Sequence, residues 1–270
     1  AKAEQKAKAA GKRWTKADDQ AALDKGRQAA AKKYTEPEPP DTSELPELPE
    51  GWCWTHLEQL GEIASGQTPK GISDRTVESH AQIPWFRVGD MNTPGNERLM
   101  TLSREWLSEG DARDLGLHVR PAGTIVFPKR GGAIATNKKR VLGQPSAYDL
   151  NTMGFIPIPS TAHYTWFWFQ QLELGALSDG SNVPQINHGD VAYLPVPLPP
   201  TAEQLRLVEE AERLLSIGEE AVAQVAVNRL RCGRLRQSIL KWAFEGRLVD
   251  QDPDDEPASV LLERIKAERA

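Results

Sequence analysis

Apolar and polar positions change rhythm once along this chain, near residue 200. Between 51 and about 200 they come as short apolar runs broken by Gly and Pro. From about 202 to 247 they settle into one long helical repeat. In the first region the runs 83–88, 124–128, 154–157 and 191–196 are bounded by turn residues and predict strands. Helical spacing is expected over 56–63, 101–109 and 165–174. The run Tyr164 to Phe169 is aromatic but lacks interleaved basic residues, which points to core packing rather than base stacking. Without a regular strand–helix alternation, the mixture predicts an α+β domain, a mixed α/β body followed by a long coiled-coil-forming helix.

In the second region Val208, Leu215 and Val222 recur every seven residues, with Ala211, Gly218 and Val225 three places after each. Leu207, Leu214 and Ala221 widen this stripe, and Cys232, Leu235, Ile239 and Trp242 extend it beyond the polar Asn228 and Arg229. This is a heptad seam, and about 45 helical residues span on the order of 65 Å. Such a helix either folds back on its own domain or packs on a partner helix, and the seam with charged flanks favours a partner. The two regions meet at Leu194-Pro195-Val196-Pro197-Leu198-Pro199-Pro200. Alternate prolines hold φ near −65° and remove backbone donors, so this stretch is expected at a sheet edge or along a surface. Thr201 is the expected N-cap, with Gln204 in capping-box position.

Composition narrows the functional classes. The 270 residues carry a formal net charge of −5, unevenly placed. Residues 1–33 read as a basic helical or fraying segment, 34–50 as a stiff Pro/Glu linker, 51–200 as the globular domain, 201–248 as the long helix and 249–270 as an acidic turn with a short helix. A local basic cluster inside the domain (Lys129, Arg130, Lys138, Lys139, Arg140) matters more for binding than the sum does. No stretch approaches the ~18 apolar residues of a membrane span. The N-terminus has no initiator Met and no secretory h-region, as expected for a fragment or processed chain of the cytoplasm. Cys53 and Cys232 read as free thiols, and His56, His80, His118, His163 and His188 lack ligand spacing, so neither metal nor cofactor is expected. Neither G-x-G-x-x-G nor a P-loop occurs.

Six motifs then occur in order along the domain. They are LPELPEGW from Leu45, LGEIASGQTP from Leu60, IPWFRVGD from Ile83, GTIVFPKRGG from Gly123, NTMGF from Asn151 and GSNVPQIN from Gly180. The Leu-Pro-Pro-x-x-Glu-Gln junction and a helix ending Leu235-Arg236-Gln237-Ser238-Ile239-Leu240 follow. With these the chain resembles the specificity subunit of type I DNA restriction–modification enzymes, over one target-recognition domain and its spacer helix. The resemblance implies a non-catalytic reader of double-stranded DNA that docks methyltransferase subunits and, through them, the restriction subunit. Adenine methylation would belong to the partner, whose Asn-Pro-Pro-aromatic motif is absent: Leu198-Pro199-Pro200 lacks both the Asn and the aromatic. The family alternates two recognition domains with two spacers, so one of each looks like a half-subunit, and a homodimer through the seam would restore the pair.

Several residues are candidates for DNA contact. Gln67, Thr68 and Lys70 lie in a Gly-flanked loop that either approaches DNA or is an ordinary solvated turn. Arg87 either reaches DNA or pairs with Asp90. Lys129 and Arg130 emerge after an apolar strand beside Gly131-Gly132. Asn137, Lys138, Lys139 and Arg140 continue that stretch as phosphate contacts, and Asn182 and Gln185 mix turn chemistry with contact. The expected partner face of the helix is Leu207, Val208, Leu214, Leu215, Val222, Val225, Leu235, Ile239 and Trp242. The competing class is a coiled-coil adaptor that binds protein.

Overall fold

The computed structural model describes residues 15–18, 20, 21, 24, 25, 38–77 and 82–269. The basic segment expected over 1–33 and the start of the 34–50 linker fall mostly outside the described residues, as does His80. In chain order the body comprises β1 (Cys53–His56), β2 (Gly61–Ser65), β3 (Ile83–Phe86), β4 (Leu99–Met100), β5 (Glu105–Leu107) and α1 (Glu109–Asp114). It continues through β6 (Ile125–Pro128), β7 (Arg140–Leu142), β8 (Ala147–Tyr148), β9 (Thr152–Pro157), α2 (Ala162–Gln170), α3 (His188–Ala192) and β10 (Pro195–Leu198). Then follow α4 (Thr201–Phe244) and α5 (Ala258–Arg269). The chain divides into two compact units, Ala1–Leu205 and Arg206–Ala270.

A five-stranded sheet runs in the order β2-β9-β6-β7-β4, beside a three-stranded sheet β5-β3-β8 and a ribbon β1-β10. Alternation along β6 explains the layering. Ile125 and Phe127 face a core shared with Phe155, Phe169 and Val196, whereas Val126 faces Phe86, Met100, Leu142 and Tyr148. Both sheet faces are therefore covered, and β3 joins the layers by sending Phe86 to the latter core and Trp85 to one with Ile83, Leu107 and Ala112. The aromatic run packs through Phe169, whose ring lies 5.8 Å from Phe127 and 5.3 Å from Phe155.

Three expected elements are corrected. Residues 56–63 are not a helix but the end of β1, one tight turn at Leu57–Gln59, and β2. Leu57, Leu60 and Ile63 imitate helical spacing because all three enter the same core. At Gly61 a Cβ would lie 2.3 Å from the Ile156 carbonyl, so the strand pairing depends on its absence. The 101–109 helix is β5, with α1 beginning after Ser108, whose hydroxyl accepts from the Asp111 amide at 3.0 Å. The 191–196 strand starts later, since Asn187 opens α3: its amide donates to the Asp190 carboxylate at 2.6 Å.

The proline junction is a ribbon strand, as its composition suggests. The Leu57 amide donates to Leu194 O at 3.0 Å, so the ladder's alternation puts Pro195 and Pro197 opposite His56 and Trp54 at positions that need no proline N–H. The capping box is shifted. The Pro200 carbonyl accepts from the Glu203 and Gln204 amides at 2.8 and 3.0 Å, which makes Pro200 the residue before α4. Pro200 has no N–H to cap, and the Gln204 side-chain amide instead donates to Pro199 O at 2.9 Å. Helix α4 holds 44 residues, ends at Phe244 and is followed by Gly246 at φ +66°, with the Arg247 amide bonded to Trp242 O at 2.8 Å.

Candidate nucleic-acid interface

One end of the five-stranded sheet collects most of the candidate contact residues. β2 finishes at Ser65 opposite Met153, and β6 finishes at Pro128 opposite Thr152, so the segments after both strands and the turn before β9 meet there. Gly66 N donates to Thr152 O at 3.0 Å, Gln67 N to Tyr148 O at 2.8 Å, and Lys129 N to Asn151 O at 2.8 Å. The loop 179–187 closes the same end. Ile186 N donates to Lys129 O at 2.9 Å, Gly131 N donates to Pro184 O at 2.8 Å, and Arg130 bridges Gln185. Asp179 holds that loop by accepting from Ser181 Oγ at 2.9 Å and Gln185 N at 3.1 Å, and these bonds lower its carboxyl pKa.

The side chains at this end divide into fasteners and exposed groups. Gln67 is a fastener: its Oε1 accepts from His118 N at 2.8 Å, and its carbonyl takes the Trp85 indole at 3.3 Å. Thr68 Oγ1 accepts from Leu150 N at 3.1 Å. Gln185 Nε2 donates to Asn187 Oδ1 at 2.7 Å. Lys70, Arg130 and Asn182 are exposed, and half-buried Lys129 donates from Nζ to Ser65 Oγ at 3.1 Å. Arg87 pairs with Glu105 rather than Asp90, in a two-pronged contact of 2.8 and 2.7 Å, with its guanidinium 5.2 Å from the Trp85 ring. Bonding to Glu105 raises the Arg87 pKa, although burial opposes it. Asp90 instead accepts from the Arg87 backbone amide at 2.9 Å, and burial raises its carboxyl pKa.

The 137–140 stretch departs most from expectation. Asn137 adopts φ +52° and its Oδ1 accepts from Lys139 Nζ at 2.9 Å and Leu174 N at 3.0 Å. Lys139 is buried at 4% exposure and also donates to the Leu172 carbonyl; burial lowers its pKa. Arg140 is half-buried and donates to Lys139 O at 2.8 Å and Met91 O at 3.2 Å, and burial lowers its pKa too. The cause is topological: β7 lies between β6 and β4, so its leading residues enter the sheet instead of a surface loop. Lys138, bonded to Asn92, stays at the rim, and the β6–β7 register puts it level with Pro128. Asn137, Lys139 and Arg140 are therefore fasteners, and the basic set left at the surface shrinks to exposed Lys70 and Arg130 with half-buried Lys129 and Lys138. Ser65, Asn92 and Asn151 join the site unforeseen. Ser65 and Asn151 each stand within the quoted motifs at a strand end, a position that could have marked them.

Among the described residues no group of three or more His, Cys, Asp or Glu could hold a metal, and both Cys53 and Cys232 are free and exposed. No described helix is long and apolar enough to cross a membrane. On α4, Val208 is buried, while Leu207, Leu214, Leu215, Val222, Val225, Leu235, Ile239 and Trp242 are exposed, Val222 by 73%.

No protein-family profile matches the chain. It is 27% identical over 242 residues to the type I restriction enzyme EcoDI specificity subunit of Escherichia coli, covering 84% of this chain and 51% of that protein. This chain is similar in sequence to type I specificity subunits. It spans about half the length of the E. coli protein. Type I specificity subunits also supply the matching fold. The HsdS subunit of Thermoanaerobacter tengcongensis superposes with a TM-score of 0.57 at 22% identity, over 76% of this chain and 48% of that one. A chain solved in work on assembly and conformational transition of a type I restriction–modification system gives 0.61 at 22% identity, over 82% and 51%.

Proposed function

We propose that this chain is the specificity component of a type I restriction–modification system and reads one half of a bipartite target in double-stranded DNA. The observation that carries the reading is the set Lys70, Lys129, Arg130 and Lys138 at one sheet end, beside polar side chains locked by internal hydrogen bonds. Cations at the surface suit phosphates, while rigidly held amides and hydroxyls suit base edges. Residues 51–200 act as the reading head and 201–248 as the spacer. Methylation and cleavage fall to methyltransferase and restriction subunits that dock on this chain, which itself carries out no reaction. The exposed α4 seam supports pairing of two copies, which would supply the second head.

Titration of fluorescent duplex DNA with the full chain across a salt series tests the reading. Each neutralised phosphate contributes a slope of about −0.9 in log K against log salt. Lys129→Ala with Arg130→Ala should reduce the slope by roughly 1.8 while leaving the fold intact. Salt-independent binding, or an unchanged slope in the double variant, overturns it and favours the protein-binding adaptor. Mapping modified adenines in cells that carry the chain with its methyltransferase extends the test: a two-part symmetric target is expected for paired copies.

A further inference from the structure

Apart from Lys70, the cations of the site and Asn182 lie on two chain segments, which are joined at both ends. Near the interface, Lys129–Gly131 is stitched to Pro184–Ile186 by backbone bonds of 2.8 and 2.9 Å. At their other ends, 131–136 runs into Asn137, and the second segment begins where α2 gives way to Leu172 and Leu174. Those ends meet at a single buried cation. The Lys139 ammonium donates to Asn137 Oδ1 and to the Leu172 carbonyl, and Asn137 Oδ1 also accepts from Leu174 N at 3.0 Å. Among the described residues Lys139 is the only lysine or arginine in the buried class.

Burying an ammonium costs free energy unless its donors are met, and here they are met by acceptors drawn from both segments. We infer that Lys139 is a positioning residue: it closes a frame of two segments, 129–139 and 172–186, and so sets how Lys129, Arg130 and Asn182 are presented to DNA. The inference rests on the DNA-reading proposal above and adds to it a residue that never touches DNA.

Lys139→Met keeps the volume and removes the donors. Its urea midpoint should fall while the protein still folds, because the Leu172 carbonyl loses its donor; amide exchange at Gly131 and Ile186 should accelerate, and the salt slope for duplex DNA should fall by about one to two. Asn137→Gly permits the same positive φ without the side-chain amide, and should give the same result if Lys139→Met fails to fold. The deciding comparison is a cycle with Lys129→Ala/Arg130→Ala. A residue acting through those cations has no further effect once they are gone, whereas a direct DNA contact adds its own. Additive losses, or unchanged exchange at Gly131 and Ile186, overturn the inference. A wild-type chain without any salt slope would instead sink the DNA-reading proposal, and the exchange measurement would still decide the frame.

Discussion

Gly66 holds the interface loop against the sheet with almost no clearance. A Cβ there would lie 2.0 Å from Asp149 O, 2.6 Å from Tyr148 O and 2.6 Å from Tyr148 Cδ2. Ordinary contact begins near 3.4 Å, so Gly66→Ala requires about 1.4 Å of separation from a backbone carbonyl, not from a yielding side-chain tip. The same move stretches two short backbone bonds, Gly66 N to Thr152 O at 3.0 Å and Gln67 N to Tyr148 O at 2.8 Å. Overpacking costs roughly 1–3 kcal/mol and each compromised hydrogen bond about 1 kcal/mol. A loss of about 3–5 kcal/mol is therefore expected, read as a lower urea midpoint at constant m. Gly132→Ala is the matched control, since nothing lies within 4 Å of its Cβ and its φ is unexceptional. Because Gly66 precedes Gln67 and Thr68, DNA binding should also weaken. If Gly66→Ala unfolds within about 0.5 kcal/mol of the Gly132→Ala control, the close-approach reasoning fails.

Two further perturbations follow from burial and from the seam. Burial pushes the Tyr148 phenol from 10.0 up to about 12, with its hydroxyl donating to Ala64 O at 3.1 Å. The folded state then keeps a proton that the unfolded state loses, so this stability is present below pH 10 and lost as pH rises from 10 to about 12. The loss reaches at most about 3 kcal/mol, and Tyr148→Phe should flatten the decline in urea titrations at stepped pH; an equally steep decline refutes the assignment. Burial raises Tyr164 to about 12 as well, so part of the slope should survive in that variant. For the seam, the full chain is expected to sediment as a dimer at micromolar concentration, and Leu215→Glu with Val222→Glu should yield the monomer mass without loss of the α+β body. Identical masses for both proteins would refute pairing through α4.

The features legible in the sequence were those that depend on near neighbours. Heptad spacing from Leu207 to Trp242 specified a long helix because residues three and four apart share a helical face whatever surrounds them. The prolines at 195 and 197 specified a ribbon strand because a missing N–H is a property of the residue itself. The apolar run 124–128, bounded by turn residues, specified β6 for the same local reason. The motif order likewise pointed to the family whose members the comparisons returned.

Tertiary structure decided the rest. Leu57, Leu60 and Ile63 fit a helix by spacing, but they enter a core shared with Phe155 and Phe169 from a segment folded as strand, turn and strand. Arg87 finds Glu105, eighteen residues away, because β3 pairs with β5, while nearby Asp90 turns to the backbone. Lys138, Lys139 and Arg140 read as one basic stretch, yet β7 enters between β6 and β4, leaving the first at the rim and burying much of the other two. Whether a charge meets solvent or a carbonyl depends on which strands flank it, and strand order is set by contacts far apart in the chain. Sequence therefore determined what kinds of elements and side chains this protein has, and packing chose which of its cations remain available to a partner.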